Sequence, residues 1–282
     1  MNYEIKNSFL KAKIKSFGAE LNSLQKIDDN FEYIWQANPQ YWARHSPVLF
    51  PIVGRLKDDS YFYKGKKYTL SQHGFARDKE FEVVAQEDDF IEFSLKNDEK
   101  TLKIYPFLFE LNISYKLEKT KLIISYIVKN ASEDKMYFSI GAHPAFNISN
   151  GDFLEFENIT TSTRYFLNDK GLIYANEKLN FLESKLILDE EIFKNDALVF
   201  NDENIKSINL RDKNNNKILK VEFKGFPYLG VWSKQNLAPF VCIEPWFGVA
   251  DEENSNQNIE DKRGIQFLKK DEVFSCFYSI EV

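Results

Sequence analysis

Along much of the chain apolar residues recur at every second position, the spacing that gathers them on one face of a β-strand. The cleanest run is Phe107, Phe109, Leu111, Ile113, Tyr115 and Leu117. The polar stretch Glu118-Lys119-Thr120-Lys121 interrupts it, and alternation resumes through Leu122, Ile124, Tyr126 and Val128. Two alternating segments joined by a short polar turn predict a β-hairpin. The C-terminal residues repeat the theme with Phe274, Cys276, Tyr278, Ile280 and Val282. Shorter strand pairs are expected between residues 81–84 and 91–93, and over 218–223 after the Asn214-Asn215-Asn216 turn. Helical spacing is scarce: residues 189–197 offer a turn or two of helix and little else does. Residues 251–262 are polar and acidic and read as an exposed loop. Frequent strands with short turns predict an all-β fold, a sandwich or a barrel. No linker-like break or fixed repeat divides the chain, so residues 1–282 are expected to form one domain.

Composition narrows the function classes. With 43% apolar and 28% charged residues, the chain has the profile of a soluble globular protein with an ample core. A formal net charge of −6, with both signs interspersed, argues against a broad nucleic-acid footprint, which needs clustered Lys and Arg. Aromatic content is high, with 26 Phe and 14 Tyr. Such rings suit pleated sheet surfaces and also stack on sugars, and most are assigned to the core. Only Cys242 and Cys276 are present, which fits a reducing compartment and leaves a bridge between them open. The start, Met1-Asn2-Tyr3-Glu4-Ile5-Lys6, lacks a basic segment followed by an apolar run, and no apolar stretch is long enough to span a bilayer. A cytoplasmic location without a membrane partner is expected.

Several residues have neighbours that suit chemistry. Of His45, His73 and His143, two lie beside Gly or Pro: Ser71-Gln72-His73-Gly74-Phe75-Ala76-Arg77-Asp78 and Gly141-Ala142-His143-Pro144-Ala145-Phe146. Sharp bends there would leave an imidazole accessible for proton transfer, although a turn role is the plainer alternative. Glu244 is embedded in the apolar run Val241-Cys242-Ile243-Glu244-Pro245-Trp246-Phe247-Gly248. A carboxylate in such a run needs partners, either as a general base or in an ion pair. Arg55 follows Pro51-Ile52-Val53-Gly54, and Arg77 follows His73 by four positions. Either guanidinium can hold hydroxyls or a phosphate, or serve an ion pair such as Arg77 with Asp78.

Together these segments resemble a known family. Phe50-Pro51-x-x-Gly54-Arg55, His73-Gly74-Phe75-Ala76-Arg77, Gly141-x-His143-Pro144-Ala145-Phe146 and Glu244-Pro245-Trp246 occur in the order found in aldose 1-epimerases. The chain is similar to the LacX-like branch of the galactose mutarotase superfamily, from about Gly18-Ala19-Glu20-Leu21 to Glu244. The resemblance implies a large antiparallel β-sandwich with its site in a cleft on one sheet face. It implies Glu244 as general base and His143 as general acid, with His73 and Arg55 holding the sugar and helping to polarise its ring oxygen. Asp196, in Asn195-Asp196-Ala197-Leu198, resembles the acid that grips sugar hydroxyls, although an exposed acid at a loop end fits it nearly as well. On that reading His143 carries a proton and Glu244 does not, and no metal, nucleotide or redox cofactor is required. Trp232 or Trp246 would line the sugar face or fill core.

Three alternatives follow from the same residues. Arg55 and Arg77 together would suit a hexose 6-phosphate. A sugar-binding or sensor protein would use the fold without catalysis. His73, His143 and Glu244 would make a metal set, although no short metal-ligand spacing occurs. The sheet edges leave both a monomer and a homodimer open.

Overall fold

The computed structural model describes residues 1–157, 159–189, 191–234 and 238–282. The long alternating runs form a hairpin of Phe109–Glu118 and Lys121–Asn130, in which Lys121 pairs with Glu118 across the loop Lys119-Thr120. The C-terminal strand Val273–Glu281 lies antiparallel on the other edge of Lys121–Asn130. Register puts Ile113, Tyr126 and Cys276 in one cross-strand row and Tyr115, Ile124 and Tyr278 in the next. A side-chain period of two thus pools all three runs on a single face.

These strands are the middle of a nine-stranded sheet. Its order is Lys185–Ile187, Phe153–Phe156, Ser207–Arg211, Lys217–Glu222, Val273–Glu281, Lys121–Asn130, Phe109–Glu118, Phe90–Lys96 and Glu82–Gln86. A second sheet runs Ile173–Asn180, Thr161–Leu167, Leu198–Asn201, Tyr228–Trp232, Phe240–Phe247, Ile140–Ala142 and Val48–Leu49. Ala145–Asn147 also pairs with Phe240–Phe247. One apolar cluster draws Leu111, Ile113 and Tyr126 from the first sheet and Leu198, Val231, Val241 and Ile243 from the second. The two sheets therefore share a core, and the fold is an all-β antiparallel sandwich.

Two local expectations are corrected. The described residues of 189–197 form turns in place of a helix: the Lys194 N–H donates to the Glu191 carbonyl and the Asp196 N–H to the Phe193 carbonyl, both three residues back. Asp196 then holds φ 66°, a left-handed conformation that a right-handed helix cannot continue through. The one α-helix among the described residues is Glu99–Ile104. There the Thr101 N–H donates to Asp98 Oδ1 at 2.6 Å, and the Asp98 N–H donates to Thr101 Oγ1 at 2.8 Å. The spacing Asp98-x-x-Thr101 was its available signal. Residues 251–262 are also not wholly exposed. Asp251 and Lys262 are buried, with Lys262 Nζ 3.0 Å from Asp251 Oδ1. A polar composition cannot separate such a buried pair from solvated charge.

Both cysteines are free thiols, Cys242 buried and Cys276 partly so. Among the described residues no helix is long and apolar enough to cross a membrane.

Candidate active site

The site grows from strands buried on both faces. Along Phe240–Phe247, Val241 and Ile243 join the main core, while Cys242 and Trp246 belong to separate clusters on the other side. Alternation places Glu244 on that second face, between them. Glu244 is paired with Gly230 of the neighbouring strand, and Gly141 is paired with Trp246 on the opposite edge. A methyl group on Gly230 would lie 2.4 Å from Trp246 Cζ2, and one on Gly141 2.5 Å from Trp246 Cδ1. The two glycines thus let the indole lie across the sheet, where its Nε1 donates to the Ala142 carbonyl at 3.2 Å. Trp246 and Glu244 help line a cavity of about 330 Å³, with Trp42, His73, His143 and Trp232 among its other walls.

The Gly-Arg and His-Gly segments interlock. The His73 N–H donates to the Gly54 carbonyl at 2.9 Å, and the Gly54 N–H donates to His73 Nδ1 at 3.1 Å. Gly54 has φ +72°, and a side chain there would strike the Ala250 backbone at 2.6 Å. His73 itself holds φ 67°, a left-handed conformation that a non-glycine residue keeps only when its surroundings impose it. Because Nδ1 accepts a hydrogen bond, the neutral ring carries its proton on Nε2. Burial, followed by the charges of His143 and Arg77, holds the His73 pKa well below the ordinary imidazole value.

His143 lies beneath Trp42, with stacked rings 4.8 Å apart, and Trp232 meets it edge-on at 5.9 Å. Its Nε2 is 3.2 Å from Glu244 Oε2, and both side chains are almost completely enclosed. Burial, then the charge of Arg77, pushes the His143 pKa down to about 3. Burial, then the nearby Asp196, raises Glu244 well above the carboxylate range. Both directions run against the expected imidazolium–carboxylate pair, because burial disfavours the charged form of each group.

The remaining candidates surround this pair unequally. Arg77 and Gln72 border both the cavity and a neighbouring groove of about 460 Å³. Burial, then Arg44, lowers the Arg77 pKa to about 10. Arg55 lines only the neighbouring groove, with its Nε 3.6 Å from Asp59 Oδ1. Asp196 stands exposed at the cavity mouth with φ 66°. His45 lies outside the cavity, with Nδ1 3.2 Å from Lys15 Nζ and 3.8 Å from Glu20 Oε2. The metal set weighed from sequence also changes membership: among the described residues the compact group is His143, Cys242 and Glu244, without His73. Trp42 and Gln72 were not singled out from sequence, and Cys242 was weighed only as one of two thiols and never as a site residue. The one signal was the period of two that aligns Cys242 with Glu244.

The arrangement has known counterparts. The aldose 1-epimerase family model matches residues 1–266. The LacX protein of Lactococcus lactis subsp. lactis is 34% identical over 278 residues, covering 93% of each chain. The chain belongs to the aldose 1-epimerase family. A galactose mutarotase related enzyme from Lactobacillus acidophilus has 37% identity and a TM-score of 0.94, over 100% of this chain and 97% of that one. A galactose mutarotase-like protein from Lactobacillus casei has 29% identity and the same TM-score, covering 100% and 99%. Membership makes this protein an isomerase of the epimerase kind, in a family that binds sugars. The aromatic cavity with a few convergent polar groups suits that substrate class.

Proposed function

We propose that the protein is an aldose 1-epimerase that interconverts the α and β anomers of a hexose. The observation carrying this reading is the buried His143–Glu244 pair, in contact at 3.2 Å on the wall of an aromatic cavity. Glu244 would remove the proton of the anomeric hydroxyl while His143 delivers one to the ring oxygen, and the C1–O5 bond would break. Rotation about C1–C2 in the open aldehyde, then closure with the two roles reversed, would give the other anomer. Each positioned proton transfer is worth about 10²–10⁴-fold. His73, with Nε2–H as donor, and Asp196 at the mouth are suited to holding sugar oxygens. Sugar hydroxyls donating to Glu244 would replace its lost hydration and favour the carboxylate. With Glu244 ionised, a protonated His143 would balance its charge and hold the proton for the ring oxygen.

A second reading has its own support, since Arg55 and Arg77 both border the groove beside the cavity. A phosphate on the hexose would suit that groove, although Asp58 and Asp59 also line it and Asp59 lies near Arg55. The test is magnetisation exchange between anomeric protons by NMR, using glucose, galactose and their 6-phosphates against spontaneous blanks. Accelerated exchange that is lost in Glu244→Gln is the expected result. A preference for phosphosugars that disappears in Arg77→Ala would select the second reading. Sugar binding without exchange would overturn both and favour a sensor role.

A further inference from the structure

We infer that His143, Cys242 and Glu244 form a binding site for a thiophilic divalent cation of the zinc type, and that the cation and the sugar exclude one another. This goes beyond the epimerase reading, because the site stands whether or not the protein turns over a sugar. One ligand atom from each of the three residues lies within 4.8 Å of the others, and all three residues are buried. The His143 Nε2 to Glu244 Oε2 distance is 3.2 Å. Tetrahedral zinc, with bonds of about 2.0 Å to nitrogen and oxygen, spaces such ligands roughly 3.3 Å apart. That edge of the polyhedron is already in place. The thiol, within 4.8 Å of the other two ligand atoms, would have to close to an edge of roughly 3.5 Å, since bonds to sulfur are about 2.3 Å.

One ligand atom lacks a hydrogen bond of its own: Glu244 Oε2 is a buried oxygen whose near polar neighbour is His143 Nε2 at 3.2 Å. Unsatisfied buried acceptors are costly, and a cation would satisfy the carboxylate. The donor set of one nitrogen, one sulfur and one oxygen favours zinc or cadmium over magnesium or calcium, which prefer all-oxygen shells. Three protein ligands leave a fourth position toward the cavity for water. Binding would convert the Cys242 thiol to a thiolate, releasing its proton to solvent. It would also occupy the two groups proposed for catalysis, so inhibition is expected.

The experiment is a cadmium titration of the full chain, followed by the ultraviolet thiolate-to-metal charge-transfer band, with zinc affinity from calorimetry in two buffers of different ionisation enthalpy. A stoichiometric band, proton release, and suppression of both by a saturating hexose are expected. Cys242→Ser should abolish the band and weaken zinc by roughly 10–100-fold or more, a scale that even groups outside the ligand set reach. Cys276→Ser should leave both unchanged. If Cys242→Ser does not fold, Glu244→Gln keeps the thiol and should weaken zinc comparably. A band that survives Cys242→Ser or vanishes in Cys276→Ser, or zinc affinity unaltered by Glu244→Gln, would overturn the assignment.

Discussion

Replacing Gly230 by Ala tests whether the floor of the cavity is set by close approach of the strand backbone to Trp246. The added methyl would lie 2.4, 2.5 and 3.1 Å from Trp246 Cζ2, Cη2 and Cε2. Ordinary carbon contacts begin near 3.5 Å, so the indole must retreat by about 1 Å. Gly230 sits in a regular strand opposite Glu244, so the alanine meets only this steric obstacle. Overpacking of this kind costs about 1–3 kcal/mol. Retreat also stretches the 3.2 Å bond from Trp246 Nε1 to the Ala142 carbonyl, worth about another 1 kcal/mol. For a chain of this length the sum of about 2–4 kcal/mol corresponds to a Tm fall on the order of 3–7 °C. Because the ring moves into the cavity beside Glu244, a bound sugar would shift with it, and a misplacement of about 1 Å can cost 10²-fold in rate. Thermal unfolding by fluorescence and anomer exchange by NMR give the two readouts. A Gly230→Ala protein with unchanged Tm and unchanged exchange rate would refute the claim that this glycine makes room for the floor.

Other expectations concern charge. Folding raises the Glu244 pKa above its ordinary 4.5, so its contribution to stability is complete below that value and is lost as pH rises through the folded pKa. Glu244→Gln should therefore raise Tm relative to the parent by a margin that grows with pH, even as exchange falls by about 10²–10⁴-fold. His143 behaves oppositely. Its pKa falls from 6.5 to about 3 on folding, so stability present above 6.5 is lost as pH drops toward 3, and His143→Asn should flatten the decline in Tm over that window. Arg77→Met, by removing the second largest cause of that depression, should move the His143 imidazole titration upward in NMR. Lys262→Met leaves buried Asp251 without its cation and should cost about 3–5 kcal/mol by denaturant unfolding. That loss should be smaller when Asp251 is neutralised as well.

The buried Asp251 shows how far the site depends on distant parts of the chain. Its N–H donates to the Arg55 carbonyl, and its Oδ2 accepts the Lys57 N–H at 3.0 Å. Val249 and Ala250, immediately before it, line the cavity. The segment of residues 251–262 therefore fastens the Gly54-Arg55 wall to the end of the Glu244 strand. The Lys262 ammonium makes this possible by pairing with the buried carboxylate at 3.0 Å.

What the sequence determined by itself was the part governed by local rules. Alternation from Phe107 to Val128 and from Phe274 to Val282 specified strands, a hairpin turn and an all-β class, because a period of two leaves a core-facing row only in extended backbone. The glycine-flanked histidines and the embedded Glu244 marked chemistry, since each residue type is costly or conformationally demanding where it stands. Tertiary structure decided the rest. The run Val241-Cys242-Ile243-Glu244-Pro245-Trp246 is apolar on both faces, so its pattern could not say which face meets the core and which meets a cavity. The directions in which the His143 and Glu244 pKa values move depended on burial and on Arg77 and Asp196, charges brought near from distant positions. Cys242 came beside His143 only through the pairing of Ala145–Asn147 with Phe240–Phe247. Protonation and ligand geometry arise from proximity between segments far apart in the chain, and local pattern carries no record of that proximity.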